Sequence, residues 1–274
     1  MFVELRGHRC WYERTESPAP GAPRVLLMMG FGMSGLLWRP VARHLQDSHD
    51  VVLFDPRGIG QSTAGDGPHG LEHLADDAAA LIDHLGWRDA HLVGVSMGGM
   101  VAQQVALRHR ELARSLALVV SHGGPFRHTL PGPVGAWRFV AANTRKGDAR
   151  IQALVRLLFP DHDLDTLLAS GIVEPDELRA ASQLSDPRIR IAHLGAILTH
   201  HTLPRLKALH DLPSLVVQAS HDILVPPRCS EALHQAMPHS HIVRMAGVGH
   251  GVMAQSPDLL ASHLAEHFAR ADAD

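Results

Sequence analysis

The sequence lacks most of what would assign it to a membrane, a nucleic acid or an oxidising compartment. It has only two cysteines, Cys10 and Cys229, far apart and with neither metal-site nor redox-pair spacing. A reduced compartment, and with it a cytoplasmic location, is the expectation. No stretch approaches the roughly 18 consecutive apolar residues that a membrane span needs. Residues 1–16 carry charges throughout and have no apolar core of the signal-peptide kind. Charge of one sign is not in excess either. Lys and Arg number 25 against 28 Asp and Glu, a net charge of -3, and no block of like charges stands out. That balance gives no basic surface for nucleic acid.

What the chain has is length, histidine and regular alternation. Its 274 residues suffice for one large domain, or one domain carrying an insertion, with a sizeable core. The 22 histidines make accidental metal motifs expected. One occurs at His263-Leu-Ala-Glu266-His267, which has the spacing of an inverted zinc-protease pattern. Leu260, Leu264 and Phe268 form the buried stripe of the same helix, leave both histidines on its flank, and no third ligand is identifiable. No metal is expected.

Residues 2–5 and 9–14 read as a hairpin turning at Gly7, followed by a Pro-rich connection from Ser17 to Pro23. Alternation then begins. Val25 to Met29 reads as a buried strand, Leu36 to Leu45 as a helix, and Val51 to Phe54 as a second buried strand. Leu74, Ala78, Leu81, Ile82 and Leu85 mark an amphipathic helix, residues 91–95 a strand, and Leu116 to Val120 another. Strands alternating with helices at this pace predict a parallel sheet covered on both faces. From Ser121 to about Leu209 the periodicity is helical only, which predicts a helical cap over residues 122–209 inserted into a core of residues 1–121 and 210–274. The sheet resumes with Leu215 to Gln218 and ends with Ile242 to Met245, and a last helix follows from about Pro257 to Arg270.

The strand at 91–95 runs into Gly94-Val-Ser96-Met-Gly98, and the period changes to helical from Met97. A strand that turns this sharply into a helix strains the residue at the bend, and glycines on both sides let its neighbours pass close by. Ser96 is thereby presented above the carboxyl end of the sheet, at the positive end of a helix. A serine hydroxyl needs a base to take its proton and an acid to orient that base. Asp222 follows the strand at 215–218, and His250 follows the last strand within Gly247-Val-Gly249-His250-Gly251. Three roles are filled at three strand ends, in the order Ser, Asp, His.

With these residues in place, the chain resembles the capped α/β-hydrolases of the esterase, enol-lactonase and cofactor-free haloperoxidase type. The matching segments are Met29-Gly30-Phe31-Gly32 to Trp38, Asp55 to Ser62, Gly94 to Gly99, Asp222 to Pro226, and Gly249-His250. The resemblance implies an α/β-hydrolase fold and a Ser96-His250-Asp222 triad without metal or organic cofactor. It also implies an oxyanion hole from the backbone N–H groups of Phe31 and Met97. Gly30, Trp137 and Val225 are the expected substrate contacts. There are departures. Met29 stands where the family usually has histidine, which leaves open what braces the oxyanion loop. Ala219 replaces a common glycine, and Ser121 leaves the alternative acid position empty. A serine nucleophile argues against the aspartyl-ester chemistry of haloalkane dehalogenases and epoxide hydrolases.

A second reading uses the same glycines. Gly30-x-Gly32-x-x-Gly35 follows a strand, opens a helix and precedes Asp55 by 20 residues counted from Gly35, which is a dinucleotide fingerprint. On that reading an NAD(P)-dependent oxidoreductase would hold ribose on Asp55, and Ser96, Asp222 and His250 would be coincidences. A non-catalytic binding module on the fold is a third reading. The expected function is hydrolysis of a small carboxylic ester through an acyl-enzyme, with a lactone or thioester as alternatives on the same triad. No Arg or Lys cluster adjoins the triad segments, so an uncharged ester is expected. Oligomeric state is not readable from the sequence.

Overall fold

The computed structural model describes residues 1–17, 19–161, 175–183 and 185–273. Part of the expected cap, residues 162–174, therefore lies outside the described residues. The alternation is realised as strands β1 (Phe2–Leu5), β2 (His8–Thr15), β3 (Arg24–Met28), β4 (Asp50–Phe54), β5 (Ala90–Val95), β6 (Ala113–Val119), β7 (Ser214–Ala219) and β8 (His241–Met245). They form one sheet in the order β1-β2-β4-β3-β5-β6-β7-β8. β1, β2 and β4 pair antiparallel, and every pairing from β4 through to β8 is parallel.

Both faces of the sheet are covered, which is why the central strands read as continuous apolar runs. All six residues of β5 are buried. On one face, α1 (Arg39–Leu45) and the last helix, Pro257–Ala273, contribute Val41, Leu45, Leu260, Leu264 and Phe268 to a common core with Leu27 and Val93. On the other face, α2 (Leu71–His84) and α3 (Met97–Arg108) bring Leu74, Ala78, Leu81, Val101 and Val105 against Leu26 and Leu92. The clear spacing of α2 is therefore a packing stripe.

Two local differences from the sequence pattern have physical causes. The stretch expected as a single helix from Leu36 divides into a 3₁₀ turn, Gly35–Trp38, and α1, with Pro40 in the first turn of α1. Proline has no N–H to continue a preceding ladder but suits a helix start. Between β7 and β8, where the sequence reading places no element, lies a helix at Arg228–Ala236. Parallel neighbours require a crossover of this kind.

Between β6 and β7 the described residues form only helices and connections: α4 (Phe126–Thr129), α5 (Pro133–Thr144), α6 (Gly147–Leu158), α7 (Pro175–Ala181) and α8 (Pro187–Thr199), then a 3₁₀ stretch, Leu203–Leu209. The helices that follow are α9 (Arg228–Ala236), α10 (Val252–Gln255) and α11 (Pro257–Ala273). Arg228 of α9 donates to the carbonyls of His128 and Leu130 at 3.1 and 2.6 Å, tying this inter-strand segment to the sheet layer. Among the described residues no helix is long and apolar enough to cross a membrane.

Candidate active site

Ser96 sits between β5 and α3 with φ 55° and ψ −120°, a backbone conformation that a non-glycine residue adopts only at a cost. The neighbouring glycines make the bend possible. A Cβ on Gly98 would lie 2.1 Å from the carbonyl oxygen of Met28, and one on Gly94 would lie 2.2 Å from that of Gly98. The carbonyl of Ser96 accepts from Gly99 N at 3.0 Å and from the Ser121 hydroxyl at 2.7 Å, which holds the turn from the β6 side. Ser121, read from the sequence only as the absence of an acid, is thus a brace of the serine turn.

Asp222 and His250 meet as expected. Asp222 follows β7 and is 5 % exposed; its Oδ1 accepts from the backbone N–H groups of Leu224 and Val225, both at 2.8 Å. Its Oδ2 lies 2.6 Å from His250 Nδ1. With both carboxylate oxygens engaged, the imidazole is held with Nδ1 as donor and Nε2 free to accept. His250 and Ser96 line the same cavity. No direct hydrogen bond joins their side chains; in catalytic pairs such a contact commonly tightens only around substrate. The glycines beside His250 serve a second purpose. A Cβ on Gly249 would lie 2.6 Å from the Leu158 carbonyl, which also accepts from Gly251 N at 2.9 Å, so the end of α6 docks on the histidine loop.

The loop from Gly30 to Gly35 follows β3. Neither the Phe31 nor the Met97 backbone N–H donates to another backbone carbonyl among the described residues. The brace that Met29 cannot supply comes from Asp55, fully buried at the end of β4. Its Oδ1 accepts from the Ser34 hydroxyl at 2.5 Å and Gly35 N at 2.8 Å, and its Oδ2 accepts from Gln61 N at 2.8 Å. Desolvation raises its pKa, with these three bonds opposing. A Cβ on Gly60 would fall 2.2 Å from Asp55 Oδ2. The carboxylate is therefore consumed inside the protein, and the ribose-binding role of the dinucleotide reading has no free acid to use. Ser34 N also donates to Ala181 O of α7 at 2.9 Å, linking the loop to the inter-strand segment.

Two cavities meet at Ser96. The smaller, about 70 Å³, is lined by Gly30, Phe31, Ser96 and His250 with Asn143, Arg150 and apolar side chains such as Leu154 and Leu158. The larger, about 250 Å³, is lined by Phe31, Ser96, His122, Phe139, Val140 and Val225, among others. Phe31 and Phe139, with ring centroids 5.7 Å apart, stand between the two lobes together with Leu224. Gly30 and Val225 thus lie one in each lobe.

Trp137, expected as a substrate contact, lines neither lobe: it is 60 % exposed, on the outer face of α5, with the Arg145 guanidinium 6.0 Å from its ring. Ala136, Phe139, Val140 and Asn143 of the same helix line the cavities at helical spacing, and Trp137 falls off that face.

Sequence reasoning missed Asp55 as a brace, and also Asn143, Arg150 and His122. His122 is 5 % exposed, and burial pushes its pKa down to about 4, so the ring is neutral. Its Nδ1 accepts from Gly124 N at 3.1 Å, which puts the ring proton on Nε2. Its place directly after Ser121 at the end of β6 was the available signal. Neither cysteine competes as a nucleophile, because burial pushes the thiol of Cys10 up to about 12 and that of Cys229 up to about 11. His267 is packed against Phe268 with its pKa lowered by burial to about 4. Among the described residues no three His, Cys, Asp or Glu side chains gather as a metal site.

A strained serine at a strand-to-helix turn, with an Asp-bound histidine on the same cavity, defines a hydrolase of the α/β class. The chain belongs to the family described as alpha/beta hydrolase fold, whose model matches residues 23–257. Among its relatives is the protein named "Putative carbamate hydrolase RutD" of Caulobacter vibrioides, 29% identical over 249 residues that cover 90% of each chain. Among solved structures, the enol-lactonase from Burkholderia xenovorans LB400 superposes with a TM-score of 0.82 at 23% identity, covering 98% of this chain and 100% of that one. A thermophilic esterase from Thermogutta terrifontis superposes with a TM-score of 0.77 at 25% identity, covering 99% of each chain.

Proposed function

We propose that the protein hydrolyses small carboxylic esters through an acyl-enzyme on Ser96. The observation that carries this reading is the strained Ser96 sharing one cavity with His250, whose Nδ1 is held 2.6 Å from the buried Asp222 carboxylate. His250 Nε2 takes the Ser96 proton as Oγ attacks the ester carbonyl, and Asp222 balances the imidazolium that forms. The oxyanion receives hydrogen bonds from the Phe31 and Met97 amides, each worth about 3 kcal/mol of transition-state stabilisation. Collapse expels the alcohol with the proton from His250. Water, deprotonated by the same nitrogen, then attacks the acyl-enzyme; the oxyanion forms again, and the acid leaves with Ser96 restored.

Residues 122–209 act in this reading as a cap on a core of residues 1–121 and 210–274, since α5, α6 and α8 supply walls of the two lobes that meet at Ser96. The substrate's two halves occupy those lobes. A lactone or thioester presents the same carbonyl to the triad, and the relative named for carbamate hydrolysis adds a carbamate to the set worth testing.

The test is kcat/KM for p-nitrophenyl esters with acyl chains of two to twelve carbons, beside a thioester, a lactone and a carbamate, each repeated with Ser96→Ala. Each methylene that fits should strengthen binding by about 0.8 kcal/mol until the cavity is full. A rise followed by a drop, abolished in Ser96→Ala, is expected. A flat profile, or activity confined to phosphate esters or peptides, contradicts the reading.

A further inference from the structure

Arg150 of α6 lines the small lobe with Ser96 and His250 but is only 6 % exposed. A buried guanidinium is normally paired with a carboxylate, because desolvating an uncompensated charge is costly. Arg150 has no such partner among the described residues. Its Nε donates to Ser182 O at 2.9 Å and its Nη1 to the carbonyl of Ala142. Arginine has five N–H groups, so these two bonds leave Nη2 and one hydrogen of Nη1 without an acceptor among the described residues.

The surroundings raise the cost. The second cation nearby, Arg190, donates from Nη1 to Asn143 O at 2.9 Å, and its Nε is buried without a partner. Desolvation first, and the charge of Arg190 second, lower the pKa of Arg150 to about 10, which still leaves it a cation at neutral pH. The remaining wall of the lobe is mostly apolar, including Met29, Met33, Leu37 and Leu157. A strut that only tied the ends of α5 and α7 together would need the two carbonyl bonds but no position on the cavity wall beside the serine.

We infer that the small lobe binds a carboxylate carried by the substrate in addition to its scissile ester, with Arg150 as the counter-ion. This rests on the ester-hydrolase reading above and names its substrate class: monoanionic hemiesters of short dicarboxylic acids, in place of the uncharged ester that the sequence suggests. A carboxylate is planar and singly charged and matches the two-pronged face of one guanidinium. A single arginine in a lobe of about 70 Å³ does not provide for a multiply charged phosphate.

The experiment measures kcat/KM in a pH-stat for monoethyl esters of dicarboxylic acids of four to eight carbons. Each is compared with its isostere in which the free carboxylate is a carboxamide, and p-nitrophenyl butyrate serves as the neutral reference. For the chain length that fits, the carboxylate is expected to exceed the carboxamide by about 30-fold, the worth of hydrogen bonds to a charged group. In Arg150→Met that ratio falls toward one, and Arg150→Lys recovers part of it. A purely structural Arg150 would lower both substrates together and leave the ratio unchanged, which overturns the inference. So does a wild-type ratio of one or below at every length. Should Arg150→Met fail to fold, inhibition of butyrate hydrolysis by the free dicarboxylates against their diamides decides on the wild-type protein: preference for the dicarboxylate supports the assignment, and equal inhibition overturns it. Ser96-dependent turnover of the butyrate ester with no carboxylate preference would refute this inference alone, whereas absence of Ser96-dependent ester hydrolysis would refute the reading beneath it.

Discussion

Replacing Asp222 by asparagine changes one atom and should remove most of the activity, for a reason that can be traced bond by bond. Oδ1 of Asp222 accepts two backbone N–H groups, from Leu224 and Val225, while Oδ2 faces His250 Nδ1 at 2.6 Å. An asparagine amide has one oxygen and one NH₂. The oxygen stays with the two donors, since turning it away would set an NH₂ against two N–H groups in a site that is 5 % exposed. The NH₂ therefore points at His250 and donates to Nδ1. That forces the ring proton onto Nε2, the nitrogen that must accept the proton of Ser96. The shape is unchanged and the fold should survive, but the base is held in the wrong tautomer. The expected loss in kcat is about 10⁴-fold, or ~5.4 kcal/mol of transition-state stabilisation. The assay is ester turnover at neutral pH with thermal unfolding as the control for folding. An Asp222→Asn protein that melts like the wild type and keeps more than about a tenth of its activity would refute the argument, given that a tenfold change is only 1.36 kcal/mol.

Two further outcomes test other parts of the structure. Burial lowers the pKa to about 4 in His122, His193 and His267 and to about 3 in His200, against about 6.5 in the unfolded chain. The unfolded state therefore binds more protons below pH 6.5. Stability should be full above that pH and fall by about 1.4 kcal/mol per unit for each such histidine as pH drops towards 4. Urea unfolding at pH 8, 6 and 5 measures this, and a midpoint that stays constant to pH 5 contradicts it. Asp55→Ala strips an acceptor from Ser34, Gly35 and Gln61 at once and should cost about 3–5 kcal/mol of stability, with ester turnover falling further than the unfolded fraction explains. Wild-type turnover in that variant would show that the Gly30 to Gly35 loop needs no such brace.

The elements that the sequence displayed most clearly are those whose periodicity comes from burial on a fixed face. α2 and β5 owe their spacing to contact with the sheet or to burial within it, so the pattern and the fold are one fact seen twice. Ser96, Asp222 and His250 stand out because each follows an apolar strand, and Ser96 and His250 also sit among glycines; these signals are local. Arg150 and Trp137 show where locality ends. Both lie on amphipathic helices of the inserted segment, and which face of such a helix meets the site depends on how the helices dock, through contacts far apart in sequence. Trp137, an apolar residue expected to touch substrate, is exposed, while Arg150, which nothing in the sequence singles out, is buried in the small lobe. Asp55 was singled out for a plausible partner that was the wrong one. Its acceptors are filled by Ser34, Gly35 and Gln61, residues that only the closed loop brings together.

In the proposed mechanism the acyl group of the substrate becomes covalently bonded to one oxygen atom, Ser96 Oγ. Quenching the protein during turnover of a slow p-nitrophenyl ester and measuring the intact mass, followed by peptide mapping, detects that bond. A stoichiometric p-nitrophenol burst matched by one acyl group on Ser96 is expected, with neither burst nor adduct in a correctly folded Ser96→Ala protein. Undiminished ester turnover in that variant would contradict it.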